Sequence, residues 1–277
     1  VTVPLVMEKI FKSKVAPVIN KPVMKVITAI PGLNQIIFKK IRTTLLNAFG
    51  GNVREIVMGG AALNPDVEKW FKKFGLPFTV GYGMTEAAPL LAYECWREFA
   101  PKSCGKCVDS VEVRIDSDDP YNKVGEIQAK GYSIMSGYYK NEEATKAAFT
   151  EDGWMRTGDL GLLDAKGNIF IKGRSKNMIL SANGQNIYPE EIEAVVNNQP
   201  YVVESVVIDR GARLVALIYM DAEKAKSEGV DLEAYKATIM AEVNKSMPAY
   251  SKVNLVEYMD QPFEKTPKMS IKRFMYK

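Results

Sequence analysis

Residues 81–86 read Gly-Tyr-Gly-Met-Thr-Glu, and these residue types can bind the parts of a nucleotide. Glycines let a backbone lie close to a phosphate, because they carry no Cβ. Tyr82, between Gly81 and Gly83, offers a flat ring for a purine, and we favour this reading over a place in the core. The hydroxyl of Thr85 can meet phosphate at the start of a helix. Glu86 can bind Mg²⁺ or complement a helix dipole.

Two further polar stretches have residues that can contact a ligand. Asp159 lies in the stretch 157–161, Thr-Gly-Asp-Leu-Gly. A carboxylate there can accept hydrogen bonds from paired sugar hydroxyls, and the alternative is an ordinary turn aspartate. The stretch 172–177, Lys-Gly-Arg-Ser-Lys-Asn, is basic and lies near a predicted domain boundary, so it also fits a linker. Neither stretch assigns a function by itself.

The elements around residues 81–86 predict how that motif is positioned. The predicted elements are a strand at 56–58, an Asn64-capped helix ending at Gly75, and a strand at 77–80. A strand, a short helical crossover and a second strand make a parallel βαβ unit. Both strands run into glycine turns, at 59–60 and at 81–83. These turns should therefore meet at the carboxyl edge of the sheet, where open α/β sheets bind ligands.

The remaining pattern divides the chain into two domains, 1–173 and 174–277. Residues 1–50 are predicted to be helical, because apolar residues recur at every fourth position from Ile37 to Phe49. From Ser110 onward the pattern becomes rich in strands. The predicted elements beyond Gly173 are helices at 189–196 and 232–245 and strands near 202–208, 214–219 and 253–258. They form a small α+β module of ordinary domain size.

The composition excludes several kinds of catalysis. The 277 residues include no histidine, which excludes imidazole base catalysis, histidine-dependent triads and histidine metal ligands. Cys104 and Cys107 form one C-x-x-C pair in a predicted loop, 101–109, and no second pair completes a zinc site. We interpret this pair as incidental. Three cysteines suit a reducing compartment such as the cytoplasm.

Positive charge is concentrated at the start of the chain. Residues 1–50 contain eight lysines and arginines against one acid, Glu8, so this segment carries +7 and the rest −3. Such a segment suits a surface that meets lipid headgroups or phosphates, and it suits at least as well a solvated helix face whose acidic partners would lie in another part of a longer protein. No apolar run approaches the roughly 18 residues that span a bilayer. Because a helical pattern is already under way at Val1, we expect the chain to be part of a longer protein.

In order and spacing, the motifs resemble those of the adenylate-forming superfamily of acyl-CoA synthetases, luciferases and peptide-synthetase adenylation domains. The matching stretches are 59–61, 81–86, 124–127, 131–139, 153–161 and 173–193. The opening stretch 3–10, with the basic helices after it, is most similar to the long-chain fatty acyl-CoA ligase branch. The resemblance implies an α/β fold. The later part of a large domain, with parallel βαβ units and a β-rich subdomain, would precede a small mobile α+β domain.

The resemblance also implies a role for each matching residue. The implied nucleotide contacts are Tyr82 and Ile171 at adenine, Gly60, Ala61 and Gly83 along the pocket, Thr85 at the α-phosphate, and Asp159 and Arg174 at the ribose. Glu86 would bind Mg²⁺, and Lys176 would be the hinge on which the small domain rotates. Gly184 would lie near the channel for the pantetheine of coenzyme A.

The implied reaction uses ATP, Mg²⁺ and coenzyme A. A fatty acid carboxylate attacks the α-phosphate of ATP and gives an acyl-adenylate and pyrophosphate. The small domain then turns, and the thiol of coenzyme A attacks the activated acyl group. Positioning and charge neutralisation suffice for the first step, which fits a chain without histidine. The implied partners are small molecules and not nucleic acid.

Two features depart from the family pattern. The Ser/Thr/Gly-rich phosphate loop, with its lysine, should come earlier in the chain and is absent from the sequence. The C-terminal signature, residues 265–273, places Ser270 where the family has its adenylation lysine. Lys268 and Lys272 are candidates to replace that lysine, although each lies two positions away from residue 270. We therefore expect the chain alone to be inactive.

Three functions stay open on the sequence alone. The first is part of a long-chain fatty acyl-CoA ligase. The second keeps the fold and changes the substrate to an aryl acid or the acceptor to a carrier-protein thiol. The third is a non-catalytic protein that binds nucleotide or acyl groups, which Ser270 favours.

Overall fold

The computed structural model describes residues 1–30, 32–181, 183–266 and 270–276, apart from the side chains of Lys25 and Ala29. It contains two compact units, Val1–Ile171 and Lys172–Lys277. Each unit has its own buried apolar core. Helices and sheets occur in both units, so the predicted α/β class is confirmed.

The first unit begins with helices and continues into sheets. Its α-helices are α1 (Pro4–Ile10), α2 (Ala16–Ile19), α3 (Pro22–Ala29), α4 (Leu33–Asn47), α5 (Pro65–Phe74) and α6 (Glu142–Ala148). Its strands are β1 (Ile56–Met58), β2 (Phe78–Val80), β3 (Tyr82–Gly83), β4 (Leu90–Tyr93), β5 (Lys106–Cys107), β6 (Val111–Asp116), β7 (Gly125–Gly131) and β8 (Met155–Leu163). Strand β9 (Ile169–Arg174) begins in this unit and ends in the second. A π-helical turn, Phe11–Val15, joins α1 to α2. The sheets have the orders β1-β2, β3-β4-β5 and β6-β7-β8-β9.

The predicted βαβ unit is confirmed. Strands β1 and β2 pair in parallel, with Met58 opposite Val80. The side chain of Asn64 accepts hydrogen bonds from the N–H groups of Asp66 and Val67, which would otherwise lack partners at the start of α5. Gly75 ends the helix in the left-handed conformation, with φ 66°. Local signals therefore set both ends of the crossover helix.

Contacts between aromatic rings hold α5 against strand β2 and against the π-helical turn Phe11–Val15. Phe71 on α5 packs edge-on against Phe11 at 5.9 Å and against Phe78 on β2 at 5.6 Å between ring centroids. Phe78 in turn contacts Phe99 at 5.7 Å. Edge-to-face pairs of this kind add about 0.5–1.5 kcal/mol each beyond the burial of their area. These ring contacts hold α5 against β2 within the βαβ unit.

The prediction that a helix begins at Thr85 is wrong. Only a single 3-10 turn, Thr85–Ala87, follows β3, and the chain then enters β4, which runs antiparallel to β3. Ala88 is in the left-handed conformation, with φ 52°. The next residue, Pro89, has no N–H to donate to a further helical turn. Thr85 therefore has no long helix behind it to supply a dipole.

The second unit is an α+β module. Its helices are α7 (Pro189–Val196), α8 (Ala222–Ser227) and α9 (Leu232–Lys245), and its strands are β10 (Ile179–Leu180), β11 (Asn186–Ile187), β12 (Val202–Asp209), β13 (Leu214–Met220) and β14 (Leu255–Tyr258). Strands β10 and β11 form a hairpin. In the other sheet, β13 pairs antiparallel with β12 and parallel with β14. Neither α8 nor the hairpin was predicted from the sequence.

Both faces of the β12-β13-β14 sheet are covered. Side chains of β13 alternate between two cores: Ala216 and Ile218 face one, and Val215 and Leu217 face the other. The first core includes α7 and α9, and the second includes Phe263. The alternation follows from the two-residue period of a strand. In the described part of the chain, no helix has both the length and the apolar content to cross a membrane.

Candidate functional site

The two glycine turns of the first unit meet, as predicted from the parallel strands. The N–H of Gly81 donates to the carbonyl oxygen of Met58 at 2.8 Å. A Cβ on Gly59 would lie 3.5 Å from the carbonyl oxygen of Gly81. The carboxyl ends of β1 and β2 thus form one continuous backbone edge.

A close backbone contact explains the second glycine of the Gly-Tyr-Gly motif. A Cβ on Gly83 would lie 2.0 Å from the carbonyl oxygen of Pro89, well inside contact distance. That same oxygen accepts a hydrogen bond from the N–H of Met84 at 2.7 Å. By contrast, a Cβ on Gly60 would meet nothing within 4 Å, and Ala61 is exposed. The turn at 60–61 is therefore open to a ligand, whereas residue 83 has no room for a side chain, although its backbone is exposed.

Tyr82 and Asp159 form the central polar contact of this region. The hydroxyl of Tyr82 donates to Oδ2 of Asp159 at 2.7 Å. Tyr82 is 6 % exposed and Asp159 is 4 % exposed, so the hydrogen bond lies inside the unit. The burial of the tyrosine ring was not expected from its flanking glycines. Sequence analysis also missed the contact, because 77 residues separate its two members.

The alternation of β8 directs Asp159 inward. Met155, Thr157 and Asp159 are all buried, at every second position of the strand. The hydroxyl of Thr157 donates to the carbonyl oxygen of Ile127 at 2.7 Å and accepts from the N–H of Asp159 at 3.1 Å. These bonds fix the backbone from which the Asp159 carboxylate extends.

Glu126, to which the sequence assigned no role, fixes the backbone at Gly158, just before Asp159. Oε1 of Glu126 accepts from the N–H of Gly158 at 3.1 Å, and its Oε2 pairs with Arg156 at 3.0 Å. Glu126 lies on β7, which is antiparallel to β8. The signal in the sequence was the Val-Gly-Glu-Ile stretch, 124–127, although nothing in it points to Gly158.

Glu86 is held by a tyrosine from a distant part of the chain. The hydroxyl of Tyr138 donates to Oε1 of Glu86 at 3.1 Å, and the N–H of Met135 donates to the backbone oxygen of Glu86 at 2.8 Å. Burial, followed by the bond to Glu86, raises the pKa of Tyr138, so its hydroxyl remains a donor at neutral pH. Thr85 is exposed beside it.

Glu86 fits the way in which proteins bind Mg²⁺ together with phosphates. No group of three or more His, Cys, Asp or Glu side chains able to hold a metal occurs among the described residues. Mg²⁺ commonly uses one or two carboxylates and takes its other ligands from substrate phosphates and water. A single carboxylate meets that requirement only when a phosphorylated substrate is present.

The two cysteines of the C-x-x-C pair are protonated at neutral pH. Burial is the main cause that raises the pKa of the Cys104 thiol, to about 12, and burial also raises the pKa of Cys107. The thiol of Cys107 donates to the carbonyl oxygen of Val111 at 2.7 Å. The predicted loop contains the short strand β5, which pairs with β4 and was not expected. Thiols of this kind are poor nucleophiles and poor metal ligands.

The remaining nucleotide and hinge candidates lie on β9 and just after it. Ile171 is half-buried on β9, and Arg174 is exposed at the end of that strand. Lys176 is exposed on the 3-10 turn Ser175–Asn177. Gly184 lies in the turn between β10 and β11 with φ 74°, and no atom lies within 4 Å of where its Cβ would be.

Behind the predicted hinge, the second unit contains a buried network of charges. Glu193 on α7 accepts from the guanidinium of Arg273 and, through Oε1, from the N–H of Val207 at 2.6 Å. Glu190 accepts from the amide of Asn177 at 2.7 Å and lies 3.9 Å from Arg273. The network therefore joins the 3-10 turn that carries Lys176 to the C-terminal segment that carries Arg273.

The structure pairs the described lysines of the C-terminal signature with acids. Lys272 pairs with Glu264 at 3.1 Å, and Lys265 pairs with Glu204 at 2.6 Å. Ser270 is exposed. Lys268 lies outside the described residues.

Comparisons with known proteins match both units. A family model described as AMP-binding enzyme matches residues 2–139, and one described as AMP-binding enzyme C-terminal domain matches residues 176–276. Long-chain-fatty-acid–CoA ligase 4 of Saccharomyces cerevisiae is 36 % identical over 206 residues, which cover 72 % of this chain and 27 % of that protein. The 2-succinylbenzoate–CoA ligase of Listeria monocytogenes is 39 % identical over 170 residues, covering 59 % of this chain and 35 % of that protein.

A solved structure matches over most of the chain. O-succinylbenzoate coenzyme A synthetase from Bacillus subtilis, in complex with ATP and a magnesium ion, has a TM-score of 0.70 and 25 % sequence identity. The match covers 83 % of this chain and 49 % of that one. This chain thus spans half or less of the length of the proteins to which it is similar.

Proposed function

Since the chain belongs to the AMP-binding enzyme family of adenylate-forming acid–CoA ligases, we propose that it acts within an enzyme that converts a long-chain fatty acid into its coenzyme A thioester. The hydrogen bond between Tyr82 and Asp159, beside the open turn at Gly60, carries this proposal. It joins Tyr82 and Asp159, the residues that the family resemblance implies at adenine and at ribose. The yeast relative, named a long-chain-fatty-acid–CoA ligase, supports the choice of acid.

The first step makes the acyl-adenylate. A carboxylate oxygen of the fatty acid forms a bond to the α-phosphorus of ATP. The bond from that phosphorus to the bridging oxygen breaks, and pyrophosphate leaves with the electron pair. Mg²⁺ bound with Glu86 would neutralise phosphate charge in this step. No side chain has to remove a proton, because the acid is already ionised at neutral pH.

The described residues would orient the nucleotide for this step. The backbone at Gly60 and Ala61 is open, so phosphate or acyl groups can approach it closely. Asp159 would accept from the ribose hydroxyls while Tyr82 anchors its other side. Tyr138 would hold Glu86 toward the metal by the bond to Oε1. Placing the reacting groups in line lowers the barrier by removing their freedom to reorient.

The second step transfers the acyl group to sulfur. The thiol of coenzyme A loses its proton to solvent, the sulfur attacks the acyl carbon, and AMP leaves. We assign residues 1–173 to the large nucleotide and acyl domain and 174–277 to a small mobile domain that turns between the steps at Lys176. Gly184, in an open turn, would lie along the channel for the pantetheine.

We further propose that the chain alone is catalytically inactive. Its sequence has no Ser/Thr/Gly-rich phosphate loop and places Ser270 at the position of the family's adenylation lysine. The described lysines nearest to that position are paired with acids. The purified chain should therefore give no fatty-acid-dependent exchange between ATP and labelled pyrophosphate. Robust exchange would refute this proposal.

A panel of acids tests the substrate in a longer protein that contains this chain. AMP release should be greatest with long-chain fatty acids and low with short or aromatic acids. A maximum at aromatic acids would instead favour the second candidate, which the Listeria relative, named a 2-succinylbenzoate–CoA ligase, supports. No activity with any acid would favour a non-catalytic binding protein. A Ser270→Lys variant that leaves adenylation unchanged would show that another lysine already acts.

A further inference from the structure

One short segment at α1 holds both ends of the turn that follows β1, residues 59–64, which we name the glycine turn. At the start of the turn, the N–H of Gly59 donates to the carbonyl oxygen of Thr2 at 3.2 Å. At its end, the N–H of Asn64 donates to Oε1 of Glu8, on α1, at 2.8 Å. The glycine turn is therefore bonded at both ends to residues that lie far from it in sequence.

The middle of the glycine turn lacks such bonds. Among the described residues, the backbone N–H groups of residues 60–63 donate to no protein acceptor. Gly60 has φ 86°, and it is exposed together with Ala61 and Ala62. The side chain of Leu63 is buried. The direction in which the middle N–H groups point therefore depends on how the two ends of the turn are held.

We propose that Glu8 is a positioning residue, which sets the glycine turn for the nucleotide that Gly60 and Ala61 would line. The carboxylate acts through the backbone N–H of Asn64 and does not itself touch the nucleotide. Holding the end of the turn fixes the backbone that faces the ligand before the ligand binds, so less freedom is lost on binding. The inference rests on the nucleotide site proposed above and adds a residue that shapes it.

The surroundings of Glu8 suit this role. Burial raises the pKa of Glu8, while the N–H of Asn64 and the positive charge of Lys12 oppose that rise. Both partners favour the carboxylate over the neutral acid. The packing of α1 has other sources, because Pro4 and Met7 on the same helix are buried. Removing the carboxylate should therefore release the end of the glycine turn and leave the helix in place.

The affinity of the chain for AMP, titrated by nuclear magnetic resonance saturation transfer, tests the role of Glu8. Glu8→Ala should raise the Kd for AMP about tenfold, because one hydrogen bond to a carboxylate changes the population of the bonded turn by about that factor. Glu8→Gln should stay within about threefold of the unmodified chain, since its amide oxygen can accept from the same N–H. Lys9→Ala, at an exposed position of the same helix, is the matched control and should bind AMP like the unmodified chain.

A further variant, Asn64→Ala, separates positioning from stability. It removes the side-chain cap of α5 and so destabilises the first unit, yet the backbone N–H at residue 64 can still donate to Glu8. Its Kd for AMP should therefore rise much less than that of Glu8→Ala. Hydrogen exchange reports the bond itself: the amide hydrogen of residue 64 should lose protection in Glu8→Ala and keep it in Glu8→Gln. Circular dichroism checks that each variant is folded.

The possible failures distinguish this inference from the proposed nucleotide site. If the unmodified chain binds AMP and Glu8→Ala binds it equally well, the inference is overturned and the site stands. Equal losses of affinity in Glu8→Ala and Asn64→Ala would also overturn it, because lost stability would then explain both. A Glu8→Gln variant that binds as weakly as Glu8→Ala would exclude the hydrogen bond as the cause. No binding of AMP by the unmodified chain would refute the site itself, and the inference with it.

Discussion

Replacing Arg273 by methionine should strongly destabilise the second unit. The side chains of Glu193 and Arg273 are only 9 % and 19 % exposed, so the variant leaves a carboxylate buried without its cation. Breaking such a pair costs about 3–5 kcal/mol. The N–H of Val207 still donates to Glu193, and a surviving hydrogen bond is worth about 1 kcal/mol. We therefore expect the free energy of unfolding to fall by an amount near the lower end of that range, about 3 kcal/mol at neutral pH.

The loss should depend on pH in a defined direction. Burial raises the pKa of Glu193, and Arg273 opposes that rise. Without Arg273 the pKa in the folded state rises further. A group with a raised folded-state pKa contributes stability below its unfolded pKa, and this stability is lost as pH rises through the folded pKa. The variant's free energy of unfolding should thus be close to that of the unmodified chain near the ordinary carboxyl pKa of about 4.3. At neutral pH it should be much lower.

The assay must report on the second unit, and all three tryptophans lie in the first: Trp70, Trp96 and Trp154. Amide hydrogen exchange followed by mass spectrometry gives the local free energy of opening in α7 and β12. Arg210→Met is the matched control, because Arg210 pairs with Glu257 while its own side chain is 55 % exposed. Exposed pairs are worth at most about 1 kcal/mol.

A combined variant separates loss of the charge pair from loss of packing. Adding Glu193→Gln to Arg273→Met should restore part of the stability at neutral pH, because no buried charge remains. It should also remove the pH dependence. Two results would contradict a buried charge pair. Arg273→Met would lower the local free energy of opening no more than Arg210→Met does, or the added Glu193→Gln would lower that of α7 still further.

Three other outcomes follow from the first unit. Gly83→Ala should lower the midpoint of thermal unfolding, whereas Gly59→Ala, whose new Cβ finds an ordinary contact, should not; equal midpoints would contradict the close contact at residue 83. Iodoacetamide at neutral pH should leave Cys104 unmodified in the folded chain, and its rapid alkylation, seen by mass spectrometry, would show that the thiol is neither buried nor protonated. Asn64→Ala should cost about 1 kcal/mol in urea unfolding because α5 loses its cap, and an equal cost for the exposed Asn52→Ala would argue against that cause.

Short-range signals predicted much of the fold. Asn64 and Gly75 mark the ends of α5 because the hydrogen bonds and backbone angles at a helix end involve only neighbouring residues. The parallel pairing of β1 and β2 followed from the short helical crossover between them. The apolar stretches near 202–208 and 214–219 marked the strands β12 and β13 of the second unit. These features needed no knowledge of distant contacts.

Contacts between distant residues could not be predicted from the sequence. The helix expected at Thr85 failed because the chain turns at Ala88 and Pro89 to pair β4 with β3. The partners Tyr138 for Glu86 and Asp159 for Tyr82 come from separate strands and loops, and no spacing in the sequence encodes them. Family resemblance could name single residues of the site, whereas only the fold groups them.

Nuclear magnetic resonance saturation transfer to AMP tests the central claim, that the region around Tyr82 and Asp159 binds a nucleotide. The method detects weak binding, so it suits the chain alone. Both the adenine and the ribose protons of AMP should receive saturation from the unmodified chain. Asp159→Asn should abolish the transfer, while the exposed Asp118→Asn should leave it intact. Equal transfer in the two variants, or none from the unmodified chain, would contradict the account.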